Sequence, residues 1–292
     1  MSSPFLAVLR FLGFLTWTLL AVLPYLTLTA FGWRGYARYT RSYFRLCNRL
    51  LGFHVVTRGA AMTRTRPTLF VANHASYLDI LILGAVLDAN FVAKAEVAGW
   101  PGFGFLARIA KTVFIDRKRG ATVRERDQLN TRLAMGDSLI LFPEGTSNDG
   151  NRVLPFKSAF FAVAQNTLAD GTPLPVQPVS VAYTRLDDRP MGRAFRPFYA
   201  WYGDMTLAGH LILALGLGKL TVEVIFHPVV TIADFTDRKG LANHCHDVVS
   251  HGVVAALAGR LDEDKVKNHR PAPPKARADA AAAAPAAALT EG

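Results

Sequence analysis

A histidine and an aspartate five residues apart, His74 and Asp79, stand where a β-rich run ending near Ala72 gives way to a helical stretch. On one continuous helix that spacing would point the two side chains apart. With His74 in the turn before the helix, the aspartate can reach back to the ring. It would accept from one ring nitrogen, fix the tautomer and leave the other nitrogen free to take a proton from a substrate hydroxyl. A histidine capping a helix beside a structural aspartate satisfies the same spacing. A second block, LILFPEGTS from Leu139 to Ser147, runs from a strand into Pro143 and ends in Glu144, Gly145 and Thr146. Gly145 lets a ligand approach the backbone closely, and Glu144 and Thr146 offer polar groups there. A plain strand-end turn with a capping threonine fits the same residues. A third block, Lys94 to Arg117, closes on Ile115-Asp116-Arg117 after a strand. Arg117 suits bidentate contact with phosphate or carboxylate, unless it only pairs with Asp116. Lys111, Lys118 and Arg119 add to the positive field. In a fourth block, Pro173 to Val181, Pro175 and Pro178 mark a strand edge or bend and need no chemical role.

These blocks must be carried by elements that place them side by side. Runs rich in Val, Ile and Phe predict strands over 53–57, 68–72, 90–93, 112–115, 138–142, 176–182 and 221–226. Several are apolar throughout, as expected for strands covered on both faces. Helical stretches lie between them, over 78–87, 103–109, 121–135, 158–168 and 205–215, and a closing helix over 241–261. The alternation predicts a three-layer α/β domain with a mostly parallel sheet. Sites in such sheets form at the carboxyl ends of strands, where His74, Glu144 and Arg117 would all lie.

The first 33 residues predict a membrane anchor. No charged residue occurs from Phe11 to Phe31. Those residues as a helix reach about 30 Å, roughly the hydrocarbon thickness of a bilayer. Pro24 would kink that helix or split it, so a single span and a re-entrant anchor both remain open. Over residues 34–52, Arg34, Arg38, Arg41, Arg45 and Arg49 recur every three or four positions between tyrosines and leucines. That pattern predicts a basic amphipathic helix lying on anionic membrane lipid, on the cytoplasmic side by the positive-inside tendency. The α/β domain would then span 53–261. From 262 to 292 the composition turns to Ala, Pro and charge, as in a disordered tail.

Across all 292 residues, 51% are hydrophobic and 19% charged, which excludes a mainly disordered chain. The net charge of +11 calls for an anionic partner. Two cysteines, Cys47 and Cys245, are too few for a disulfide scaffold or a cysteine-rich zinc site.

In their order and spacing, the four blocks resemble the glycerophospholipid, or lysophospholipid, acyltransferase family. Asn73-His74 with Asp79 matches its histidine block, Phe114 to Arg117 its arginine block, Phe142 to Thr146 its Phe-Pro-Glu-Gly-Thr block, and Val176 to Val179 its proline block. The resemblance covers roughly residues 50–230 and implies the family's three-layer glycerolipid-acyltransferase fold. It implies acyl transfer from an acyl carrier protein or coenzyme A thioester to a lyso-lipid hydroxyl, with no cofactor, no metal and no covalent acyl-enzyme. Carried over residue by residue, His74 would be the general base and Asp79 its orienter. Arg117, Glu144, Gly145 and Thr146 would bind the acceptor, and Lys94 would help stabilise the oxyanion. Two positions depart from the family's habit. Ser147 stands where acylglycerol-phosphate enzymes often carry arginine, and Lys111 where a glycine is common; Lys111 or Arg152 could replace the missing charge. The stretches Ser147 to Ala159 and Trp201 to Met205 resemble the bacterial branch of lyso-ornithine lipid acyltransferases. Their acceptor carries a carboxylate, which Arg117 could hold, and an ammonium, which Asp116 or Glu144 could meet. A bacterial inner-membrane enzyme with its domain on the cytoplasmic side follows from this resemblance and the anchor together.

Two readings compete: an enzyme forming phosphatidate from 1-acylglycerol-3-phosphate, and a non-catalytic membrane lipid-binding protein that uses the same anchor. No Gly-x-Ser-x-Gly elbow points to a serine hydrolase. No dinucleotide or nucleic-acid fold signature accompanies the positive charge, so no nucleic acid is expected as partner.

Overall fold

The computed structural model describes residues 2–32, 36–61, 67–100, 102–115, 123–168 and 170–261. Along the chain lie α1 (Pro4–Ala30), α2 (Tyr36–Leu50), β1 (Phe53–Arg58), β2 (Leu69–Ala72), α3 (Leu78–Val86), β3 (Asn90–Lys94), α4 (Phe103–Ile109), β4 (Val113–Ile115), α5 (Val123–Ala134) and β5 (Leu139–Leu141). They are followed by β6 (Val176–Leu186), β7 (Arg189–Pro190), α6 (Leu207–Gly216), β8 (Leu220–Phe226) and α7 (Arg238–Leu257). Every strand expected from the sequence is present. The sheet order is β1-β8-β6-β2-β5-β3-β4, with the short β7 paired to β6. From β6 to β4 neighbouring strands run parallel, while β8 is antiparallel to β6 and carries β1 parallel beside it.

Side-chain alternation builds the three layers. On β2 and β5, Leu69, Val71, Leu139 and Leu141 face one side and pack with Leu241, Cys245 and Val249 of α7. Phe70, Ala72, Ile140 and Phe142 face the other side and pack with Leu78, Ile82 and Leu83 of α3. Both faces are covered, so β2 is buried at every position, as its continuous apolar run demands.

The stretch expected as a helix over 158–168 is a 3₁₀ helix over Ser158–Gln165. At three residues per turn, Phe160 eclipses Val163 and Phe161 eclipses Ala164. All four are buried on one face, so packing selects the tighter winding.

α1 is one unbroken helix from Pro4 to Ala30, with Pro24 inside it and not at a break between two pieces. It is docked along its length. Arg10 donates to the carbonyls of Leu215 and Leu217 at the end of α6, at 3.0 and 2.5 Å. Further on, Thr18 bonds Tyr43 of α2, and the Tyr25 hydroxyl donates to Ile109 O at 2.8 Å. This packing offsets the hydrogen bond that Pro24 cannot make. The opposite face, including Phe5, Leu9, Leu12, Leu19 and Leu23, is apolar and bare. By length and composition α1 is long and apolar enough to cross a membrane.

α2 differs from a helix lying free on a lipid surface. It is wedged between α1 and α3: Tyr43 stacks on Trp17, Tyr39 donates to Ala21 O, and Asn48 donates to Leu81 O. Arg45 donates to Ala85 O in the last turn of α3, where the helix dipole favours a cation. Tyr39, Tyr43 and Phe44 therefore serve tertiary packing, while Arg38, Arg45 and Arg49 stay exposed. Arg34 and the tail from 262 onward lie outside the described residues.

Candidate active site

β2 ends at Ala72, and the chain turns through Asn73–Tyr77 before α3 begins at Leu78. Asn73 secures this turn to the neighbouring strand β6. Its amide donates to Val181 O at 2.9 Å and accepts from Val181 N at 2.8 Å. His74 then projects from the carboxyl edge of the sheet with 18% of its side chain exposed, while Asp79 is fully buried in the first turn of α3. The structure brings the two together: Asp79 Oδ2 lies 2.8 Å from His74 Nδ1. The same oxygen accepts from the Ala75 and Ser76 amides at 2.9 and 3.0 Å. The other oxygen accepts from the Tyr183 hydroxyl at 2.6 Å. A carboxylate so placed accepts a proton-bearing Nδ1 and leaves the Nε2 lone pair free. Burial, reinforced by the Asp79 charge, pushes the Tyr183 hydroxyl well above its ordinary range, so it remains a donor. The imidazole stacks on Phe142 at 4.2 Å between ring centres, which restricts its rotation.

Glu144, expected among the acceptor-binding residues, lies in the interior beneath the histidine turn. It is 2% exposed, and both its oxygens are occupied from within the protein. Oε1 accepts the His74 amide at 2.7 Å. Oε2 accepts from Asn148 Nδ2 at 2.7 Å and the Leu154 amide at 2.9 Å. Burial pushes its carboxyl up to about 8, with the three donors pulling the other way. Its place is beneath the histidine turn. Gly145 follows with φ of 75°, a left-handed conformation that glycine adopts without strain. Thr146 is exposed next to it. The Ser147 hydroxyl donates to Trp201 O at 2.5 Å and ties this loop to the segment after β7.

Lys94 is exposed at the end of β3, three residues past the Phe91–Ile140 rung and so level with Asn73. It stands two strand spacings from β2, about 10 Å across the sheet. Arg117, with Asp116, lies outside the described residues; β4 leads toward it from the same edge. Lys111 has φ of 58°, which explains the glycine common at that position: the turn from α4 into β4 is left-handed. The Asp149 carboxyl is held below its ordinary value, against its partial burial, by hydrogen bonds from Asn151 and then by the nearby charges of Arg152 and Arg193. Among the described residues no cluster of His, Cys, Asp and Glu gathers as a metal site.

Beside the histidine turn lies an apolar cavity of about 220 Å³ between α1, α2, α3, α4 and α6. Tyr77 and Trp100 line it, as do Phe14, Ala21, Phe91 and Leu211. Phe91 stacks on Phe142, which in turn stacks on His74, so an aromatic series joins cavity and histidine.

Residue spacing carries no sign of Tyr183, Asn148 or Phe142 as supports of the histidine. Tyr183 lies 104 residues from Asp79 and meets it only through the β6–β2 pairing.

A protein-family model described as Acyltransferase matches residues 54–182. The lyso-ornithine lipid O-acyltransferase of Brucella abortus (strain 2308) is 42% identical over 232 residues, covering 78% of this chain and 86% of that protein. The 1-acyl-sn-glycerol-3-phosphate acyltransferase of Neisseria gonorrhoeae is 33% identical over 198 residues, covering 66% of this chain and 71% of that protein. The crystal structure of the 1-acyl-sn-glycerophosphate acyltransferase of Thermotoga maritima superposes with a TM-score of 0.62 at 23% identity, covering 88% of this chain and 97% of that one. It shares the fold.

Proposed function

The chain belongs to the acyltransferase family, and from that premise we propose that it moves a fatty acyl chain from a thioester to the free hydroxyl of lyso-ornithine lipid. The observation that carries the chemistry is the His74–Asp79 pair at the open edge of the sheet, with Nε2 free, beside an apolar cavity. Identity to lyso-ornithine lipid O-acyltransferases supports the acceptor.

In this reading His74 Nε2 removes the proton as the acceptor oxygen attacks the thioester carbonyl. The tetrahedral intermediate collapses, the C–S bond breaks, and the leaving thiolate takes the proton back from His74. The products are an ester and a free thiol, and no acyl group rests on the protein. Asp79 holds the ring and stabilises the imidazolium that forms between the two steps. Lys94 reaches the developing oxyanion from β3, and Arg117 meets the acceptor's anionic group. The cavity between α1 and α6 takes the acyl chain. The thioester arrives on acyl carrier protein or coenzyme A, both acidic and drawn by a chain of net charge +11.

α1 docks lengthwise on the domain, so a perpendicular span would draw the domain into the bilayer with it. Its bare apolar face suits a helix embedded in one leaflet of the inner membrane, on the cytoplasmic side. The exposed arginines of α2 then meet anionic headgroups.

Acyl transfer in detergent tests the whole reading. Wild type and His74→Ala are each offered lyso-ornithine lipid and lysophosphatidate with acyl carrier protein and coenzyme A thioesters. Turnover of lyso-ornithine lipid that disappears in the variant is the expected result. Turnover of lysophosphatidate alone overturns the acceptor, and an active His74→Ala overturns the base.

A further inference from the structure

We infer that Lys157 is a further cation that binds the acceptor's anionic group, in addition to Arg117 and in place of the arginine that Ser147 replaces; this rests on the acyl-transfer reading above. No residue from Phe142 to Asn151 is basic, so the loop beside His74 supplies no cation of its own. The hydroxyl of Ser147 donates to Trp201 O and so is unavailable as a donor to an anionic ligand. Arg152 has the Asp149 carboxylate as a nearby counter-charge. Lys157, from the returning segment, fills the gap. Its amide donates to Pro143 O at 3.0 Å, and the Leu154 amide ahead of it donates to Glu144. The segment is thus clamped to the turn that holds His74.

The lysine side chain lies directly across Gly145. A Cβ added to that glycine would stand 2.9 Å from Nζ and 3.4 Å from Cε. Gly145 therefore serves two ends: the positive φ of the turn, and room for the ammonium to lie on the backbone. Gly145 is buried while Lys157 is exposed, so the lysine covers the loop and keeps its charge toward solvent. No described residue forms an ion pair with it. A free ammonium on a glycine, one residue from the carboxyl group that holds the His74 amide, is placed for a carboxylate or a phosphate. Lysine binds either as a point charge.

A cycle between Lys157 and the acceptor's charge tests this. Lyso-ornithine lipid and its methyl ester, which lacks the carboxylate charge, are each assayed with wild type, Lys157→Met and Lys157→Arg. Removing either partner should raise KM about tenfold, the loss expected for a charge-assisted contact, and removing both should cost no more than removing one. The kcat should change little, Lys157→Arg should keep most of the affinity, and melting temperatures should match. Penalties that multiply, or a fall in kcat at unchanged KM, overturn the inference. If the wild type accepts only lysophosphatidate, the acceptor proposal fails separately. The inference then stands if Lys157→Met raises KM for lysophosphatidate, with phosphate as the anion, and falls if KM is unchanged.

Discussion

Glu144 Oε1 accepts the backbone N–H of His74 at 2.7 Å, across 70 residues of chain. The second oxygen holds Asn148 and the Leu154 amide, so one buried carboxyl joins the turn after β2 to the loop after β5. The Phe-Pro-Glu-Gly-Thr block thereby helps set where the histidine stands, and the Lys157 side chain lies over Gly145 beside it.

Glu144→Gln should damage this joint. The amide oxygen of glutamine can serve one side, but its NH₂ then faces other N–H donors. One buried donor loses its partner, at about 1–3 kcal/mol. The pH dependence has a definite sign. The carboxyl is pushed from 4.5 up to about 8 in the folded protein, so between those values the folded state holds a proton that the unfolded state has lost. Wild-type stability should therefore fall as pH rises through that window, by up to about 1.4 kcal/mol per pH unit. Glu144→Gln lacks this slope. Urea midpoints of both proteins between pH 5 and 8 check it, and the gap between them should narrow toward pH 8.

Tyr183→Phe removes the donor to Asp79 Oδ1 and leaves a fully buried carboxylate oxygen unpaired. A loss of about 1–3 kcal/mol in stability is expected. Because Asp79 orients His74, kcat should fall while KM for the acceptor holds. Chemical unfolding and steady-state kinetics on the same preparation separate the two effects.

Lys111→Gly should stabilise the protein. Lys111 adopts φ of 58°, which costs a side-chain-bearing residue about 1–2 kcal/mol, partly offset by glycine's greater freedom when unfolded. A net gain of up to about 1 kcal/mol, seen as a higher melting temperature, is expected. An unchanged or lower value would show that the contacts of the Lys111 side chain outweigh the strain.

Leu211→Trp puts extra volume into the cavity between α1 and α6. If the acyl chain lies there, kcat/KM should fall most for the longest donors, by about tenfold or more for a chain that must be excluded. A panel of acyl thioesters of increasing length reads this out. A uniform loss at every length would place the chain elsewhere.

The sequence by itself determined the layered α/β fold, because apolar strands alternating with helices have few other ways to bury both strand faces. It also determined the His74–Asp79 candidate and the apolar N-terminal helix. These are local signals, carried by spacing and by runs of one residue type. Only the tertiary structure decided what Glu144 does, since its partners His74 and Leu154 reach it by their amides, which any residue carries. Tyr183 behind Asp79, and Lys157 rather than Lys111 or Arg152 beside Gly145, were likewise set by strand pairing and loop return. α2 carries the signature of a lipid-facing helix, yet Tyr43 packs on α1 and Phe44 on α3. Amphipathic periodicity records that one face leaves water; which surface receives it depends on the elements that arrive from elsewhere in the chain.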